Sequence, residues 1–87
     1  MSVNQAHIVE RVALLAHVRR VEAMQIVREM LTVIQDALVG GDKVVFSGFG
    51  MLRRVSRTDD GPGRKYVTFR PAKELKLKLN EIKAPFS

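Results

Sequence analysis

The stretch from Glu22 to Leu38 constrains the fold more than any other. Met24, Val27, Leu31, Ile34 and Leu38 follow at spacings of 3, 4, 3 and 4, the pattern of one helix face. Ala23, Ile26, Met30, Val33 and Ala37 repeat the pattern one position earlier, and the polar set Glu22, Gln25, Glu29, Thr32 and Asp36 repeats it once more. Two apolar stripes out of three cover far more than the roughly 100° that a surface helix needs. A chain of 87 residues has little else to lay over them, since a domain of this size buries only roughly 60% of its unfolded surface. With no cysteine, no disulfide or thiolate–metal site can staple it. The spacing therefore predicts a helix buried between two copies of the chain, with Leu31 and Ile34 in the seam. A monomer with an unusually apolar core is the competing reading.

The flanking segments read locally. Asn4 is placed to cap a first helix over about Gln5 to Ala16, with His7 in its first turn and Ile8, Val12 and Leu15 at helical spacing. His17 to Arg20 form a short connection, and Gly40-Gly41 ends the second helix. Val44 to Phe46 make a short strand, and Gly48 and Gly50 bracket Phe49 in a tight turn. A second strand runs roughly from Phe49 to Arg57, Thr58 to Gly63 form a turn cluster, and Arg64 to Arg70 make a third strand. The "ELKLKLN" segment alternates like a strand, yet Leu75, Leu79 and Ile82 keep helical spacing. Pro71 as a first helical residue and the Leu/Lys/Glu content favour a helix over 71–83.

Charge divides the chain. Residues 1–42 carry 4 basic and 5 acidic side chains, whereas residues 43–87 carry 11 and 4. A near-neutral scaffold followed by a strongly basic half points to a polyanion, nucleic acid first. Strand alternation sets which cations can act together. Arg53 and Arg57 share a face and Arg54 points away from it. If Val67 and Phe69 face the core, Arg64, Tyr66, Thr68 and Arg70 face out. The arginines Arg53, Arg57, Arg64 and Arg70 then line one outer surface, with no acid among them. His7 and His17 have no companion at metal-ligand spacing and no nucleophile–base pair stands out, so neither an enzyme nor a cofactor or metal site is expected. No apolar run approaches the roughly 20 residues of a membrane span, and the opening residues lack a signal-peptide layout. A soluble, cytoplasmic protein without a small-molecule substrate is the expectation.

"GDKVVFSGFGMLRR" followed by "VTFRPAKELK" resembles the HU / integration host factor family of bacterial histone-like DNA-binding proteins, over almost the whole chain. The resemblance implies an α+β fold: two N-terminal helices, a three-stranded antiparallel sheet with a β-ribbon arm, and a C-terminal helix, in an intertwined homodimer. It implies one domain over 1–87, with a helical dimerisation half (1–41), a saddle and arm (42–70) and a closing helix (71–83). Phe49, Leu52 and Phe69 would sit at the dimer core. The arginine surface would be the saddle for double-stranded DNA at the nucleoid, with Lys65, Arg54 and Lys73 as further contacts, the last at a helix N-terminus able to offer N–H groups to a phosphate.

The chain departs from that family at the arm. Only 18 residues, Met51 to Thr68, separate "GFG" from "FR". The arm is too short for the family's reach, and the family's wedge-carrying proline tip is missing. Pro62 sits in a glycine-bracketed turn beside Asp59 and Asp60, and reads as a turn former rather than a wedge. Arg19 and Arg20 fall where the second helix begins, which disfavours cations. They either contact DNA along the flank of the body or are tolerated. The leading reading is a largely sequence-nonspecific DNA-binding protein that bends DNA less than its long-armed relatives. The alternative is a protein-interaction or regulatory module that has lost DNA binding. RNA binding has only Tyr66 as an aromatic platform.

Overall fold

The computed structural model describes residues 2–57 and 63–81. Along the chain run α1 (Gln5–Ala16), α2 (Arg20–Val39), β1 (Val44–Phe46), β2 (Gly50–Arg57), β3 (Arg64–Pro71) and α3 (Lys73–Glu81). The chain divides into two compact units, residues 1–35 and residues 36–87.

In the first unit, α1 begins where the sequence placed it. The Asn4 side chain accepts the His7 N–H (3.1 Å), and the His7 Nδ1 accepts the Asn4 N–H (3.4 Å). This reciprocal capping box satisfies two N–H groups that no helical carbonyl can reach. The helix stops at His17, which takes the left-handed conformation (φ 57°), while the Val18 N–H donates back to the Ala13 carbonyl (3.1 Å). That folds Val18 and Ala13 onto the unit's core. The core is small. Val9, Ala23 and Val27 are the buried hydrophobic side chains among the described residues, with Val12, Ala13 and Val18 packed against them. Much of both α2 stripes stays open: Ile26 is 58% exposed and Val33 is 66% exposed, while Ile34, Ala37 and Leu38 are half-buried. One chain supplies no cover for them.

In the second unit, α2 ends in a turn built on Gly41 (φ 92°). The Gly41 N–H donates to the Leu38 carbonyl and the Asp42 N–H to the Ala37 carbonyl. An L-residue with a Cβ resists that left-handed geometry, hence glycine. The strands form an antiparallel sheet in the order β1-β2-β3. Between β1 and β2 the Phe49 N–H donates to the Phe46 carbonyl (3.0 Å), with Gly48 at φ 77° as the third turn residue. That is the position of a type II turn which requires glycine.

The helix expected over 71–83 starts later. Pro71 is the last residue of β3, opposite Gly50, and α3 begins at Lys73. Two constraints hold this segment extended. The ring of Pro71 disfavours helical geometry at Arg70, and the Ala72 N–H donates to the Phe49 carbonyl (2.9 Å), carrying sheet pairing one residue further. The Lys76 N–H to Ala72 carbonyl bond (3.0 Å) then opens the helix. The expected turn over Thr58, Asp59, Asp60 and Pro62, and the end of the helix at Ile82 and Lys83, lie outside the described residues.

Candidate nucleic-acid interface

Directly opposed residues of an antiparallel pair share a face, so the strand register sorts the basic residues. β2 pairs with β3 as Met51↔Arg70, Arg53↔Thr68, Val55↔Tyr66 and Arg57↔Arg64 on one face. Leu52↔Phe69, Arg54↔Val67 and Ser56↔Lys65 occupy the other. β1 adds Val45 to the first face and Val44 and Phe46 to the second. The first face therefore carries Arg53, Arg64 and Arg70 together, with Thr68 and Tyr66 between them, and Arg57 holds the register position opposite Arg64. No acidic residue of β1, β2 or β3 falls on it. At about 3.4 Å per residue, the Cα atoms of Arg53 and Arg57 lie about 14 Å apart along the ribbon, with the Val55–Tyr66 pair between them. Arg53, Arg64 and Arg70 are exposed, so their charges can meet an anion without prior rearrangement of a partner carboxylate.

Arg54 and Lys65 do not join this face. The Arg54 Nη1 donates to the Val39 carbonyl at 2.7 Å, and its guanidinium passes so close to Gly41 that a Cβ there would come within 3.0 Å of Nη2. The cation caps the carbonyl end of α2, where the helix dipole favours it. Arg54, Lys65, Tyr66 and Val67 border a groove of about 290 Å³ with Leu38 and Val39. Lys73 is exposed as the first residue of α3.

Two of the three residues expected in the apolar cluster, Phe49 and Phe69, are in contact. The ring centroids of Phe49 and Phe69 are 5.3 Å apart, and Phe46 meets Phe49 edge-on at 6.3 Å. Leu52 is half-buried on the same face. Phe46, paired with Gly50 across the β1–β2 register, joins them; the sequence placed it in a strand but carried no signal for this contact. Phe49 is nonetheless 52% exposed and Phe69 43% exposed in the single chain. On α2, Leu31 is exposed and Ile34 half-buried.

Arg19 and Arg20, paired in the sequence, separate in the structure. The Arg19 N–H and Nε both donate to Glu22 Oε1, each at 3.2 Å. Glu22 thus caps α2 and neutralises Arg19. Arg20 instead faces a cleft that it shares with Arg28. Arg28 escapes sequence reading because it sits inside an apolar–polar helix repeat with no motif around it.

Among the described residues no three metal-binding side chains gather, and no helix is long and apolar enough to cross a membrane. A two-unit chain with an acid-free arginine face on a β-ribbon has the architecture of a nucleic-acid-binding protein. The comparisons carry this further. Residues 3–61 match the family profile described as bacterial DNA-binding protein. The DNA-binding protein HU of Thermus thermophilus is 30% identical over 92 residues, covering 92% of this chain and 95% of the relative. The chain belongs to this bacterial DNA-binding family, a family of histone-like proteins and not of enzymes. Among solved structures, a point mutant of HU from Thermotoga maritima superposes with a TM-score of 0.75 at 30% identity, over 88% of this chain and 99% of that one. HU from Anabaena, crystallised with DNA, gives 0.76 at 24% identity over 88% and 97%, which speaks for the fold.

Proposed function

We propose that the protein is a homodimer that holds double-stranded DNA through phosphate contacts on its arginine face, with little regard to base sequence, and acts at the nucleoid. What supports this is the strand register: Arg53, Arg64 and Arg70 stand on one face with Arg57 at the position opposite Arg64, and no acidic residue of β1, β2 or β3 shares that face. Guanidinium groups match phosphate geometry, and phosphate contacts carry no sequence information. Support for the dimer comes from the open apolar surface. Three buried hydrophobic side chains among the described residues are a small core for a chain of this length, and the α2 stripes and the Phe49–Phe69 pair are apolar surfaces a second copy would close.

A modest bend follows from the short ribbon. Eight-residue strands β2 and β3 span about 27 Å. The alignment with the Thermus relative supports the shortening. It runs over 92 positions yet takes in 92% of an 87-residue chain, about 80 residues, so about 12 positions have no counterpart here. Bending a site by 40–90° costs of order 1–6 kcal/mol, which a short arm without a wedge offsets poorly. The test is fluorescence transfer between the ends of a short duplex, combined with titrations at several salt concentrations. The expected result is strongly salt-dependent binding with little end-to-end shortening. Binding that is absent at low salt would overturn the DNA reading in favour of a protein-interaction module. A large shortening abolished by Pro62→Ala would restore a wedge mechanism.

A further inference from the structure

The groove of about 290 Å³ in the sheet unit is lined by Leu38, Val39, Arg54, Lys65, Tyr66 and Val67. Lys65, Tyr66 and Val67 are consecutive in β3. Consecutive strand side chains alternate faces, so a groove that touches all three borders the strand itself. β3 is an edge strand: in the order β1-β2-β3 only β2 lies beside it among the described residues. Such an edge is the surface to which an extended segment adds. Val39 is 76% exposed and Val67 52% exposed, which gives the groove an open apolar floor. Val39 lies about 120–180° round α2 from Ile26, Met30 and Val33, so closing that stripe in a dimer leaves Val39 uncovered. Two cations stand beside this floor. Arg54 opposes Val67 and Lys65 opposes Ser56, which makes Arg54 and Lys65 diagonal neighbours about 7 Å apart. No acidic residue of β1, β2 or β3 shares their face, and the ion pair found among the described residues is Arg19–Glu22. The Arg54 guanidinium carries five N–H donors. One goes to the Val39 carbonyl, and the group held there keeps donors for a second acceptor.

We propose that this groove is a docking site for an extended acidic segment of a partner protein, which lies along the outer edge of β3. One row of the segment's side chains turns toward Arg54, Lys65 and Val67. Within that row residues recur about every 6.8 Å. A carboxylate set against Lys65 is within reach of the Arg54 guanidinium, and an apolar side chain two residues further on covers Val67 and Val39. Charge complementarity selects this occupant. A neutral apolar segment would strip water from two cations and return no hydrogen bond. A second copy of the chain brings a net charge of +6 against them. A nucleic acid has the charge but no side chain for the apolar floor. A carboxylate between Lys65 and Arg54, with water displaced from the apolar side, receives charge-assisted hydrogen bonds from both. Arg53 and Arg70 stand on the other face of the ribbon, so the segment and an anion on the arginine face can be held together. The site does not rest on the DNA reading.

The test uses the full chain and a pooled library of octapeptides. Their odd positions are Thr, and their even positions alternate Asp or Glu with Val, Leu, Ile or Phe. A control library carries Asn or Gln in place of the acids. Members enriched on wild type are titrated singly against wild type, Lys65→Glu and Val39→Ser. Both side chains are exposed, so circular dichroism should report native folds. Lys65→Glu turns an attraction into a repulsion and should weaken binding about 5–30-fold. Val39→Ser removes apolar contact and should weaken it at least about threefold. Amide shifts of the wild-type protein need no variant; on adding peptide they should move at Val39, Lys65 and Val67 and stay in place at Arg53 and Arg70. That outcome supports the site. It is overturned if no library member binds at 1 mM, if the control library is enriched equally, if Lys65→Glu binds peptide like wild type, or if the shifts gather at Arg53 and Arg70. Duplex binding is titrated separately on wild type, so failure of the docking site and failure of the DNA reading are told apart.

Discussion

Arg53 and Arg54 are adjacent in sequence and should respond to mutation in opposite ways. Arg54→Ala removes a 2.7 Å charge-assisted bond to the Val39 carbonyl. Hydrogen bonds to charged groups contribute about 1.5–3 kcal/mol, and a cation at a helix C-terminus a further few tenths. Arg54 is half-buried, so solvent screening reduces the sum to about 1–2 kcal/mol per protomer. For a small domain each kcal/mol moves Tm by about 4–8 °C, giving a fall of roughly 4–16 °C for Arg54→Ala. Its DNA affinity and salt slope, measured well below that Tm, should stay at wild-type values, because the side chain lies on the opposite face from the other arginines. Arg53→Ala should do the reverse. Its side chain is exposed, with its charge facing solvent, so Tm should move by less than about 2 °C. The slope of log K against log salt should flatten by about 0.9 per protomer engaged, equally on unrelated duplexes. Thermal melts at equal protein concentration and titrations at four salt concentrations decide the matter. A salt slope lowered by Arg54→Ala, or left unchanged by Arg53→Ala, would refute the assignment of faces.

Other expected outcomes follow from the same geometry. Leu31→Lys should abolish the dimer or unfold the chain, because it sets a charge in a desolvated seam; a well-folded wild-type monomer at micromolar concentration in sedimentation would contradict the dimer. Gly50→Ala should destabilise by more than about 2 kcal/mol in a denaturant titration. Its Cβ would stand 2.6 Å from both the Arg70 carbonyl oxygen and the Phe69 ring, and backbone cannot move aside cheaply; a neutral result would mean the β2–β3 pairing is looser than described. Asn4→Ala should cost about 1 kcal/mol by opening the capping box, and a melt indistinguishable from wild type would remove Asn4 from the cap. Asp59→Asn with Asp60→Asn should tighten duplex binding by removing repulsion near the phosphates, and weaker binding would show that these carboxylates have another role.

Periodic and local features were legible in the sequence. The 3, 4, 3, 4 spacing and the Asn4 and Gly40-Gly41 signals marked the two long helices closely, because caps and amphipathic faces act over one or two turns. The grouping of the Arg53, Arg57, Arg64 and Arg70 positions on one face of the ribbon was legible because strand positions alternate with a period of two, whatever the strand packs against. The excess of apolar surface on α2 was legible as well, since two stripes out of three exceed what one chain can cover. Tertiary structure decided the rest. Arg19 and Arg20 look alike in sequence; only the fold gives Glu22 to one and the cleft with Arg28 to the other. Arg54 looks like one more phosphate ligand until the end of α2 brings the Val39 carbonyl to it. Pro71 looks like a helix start until the Phe49 carbonyl holds Ala72 in the sheet. In each case the deciding group lies on another turn, strand or helix, and its position follows from how the elements pack, which no local pattern encodes.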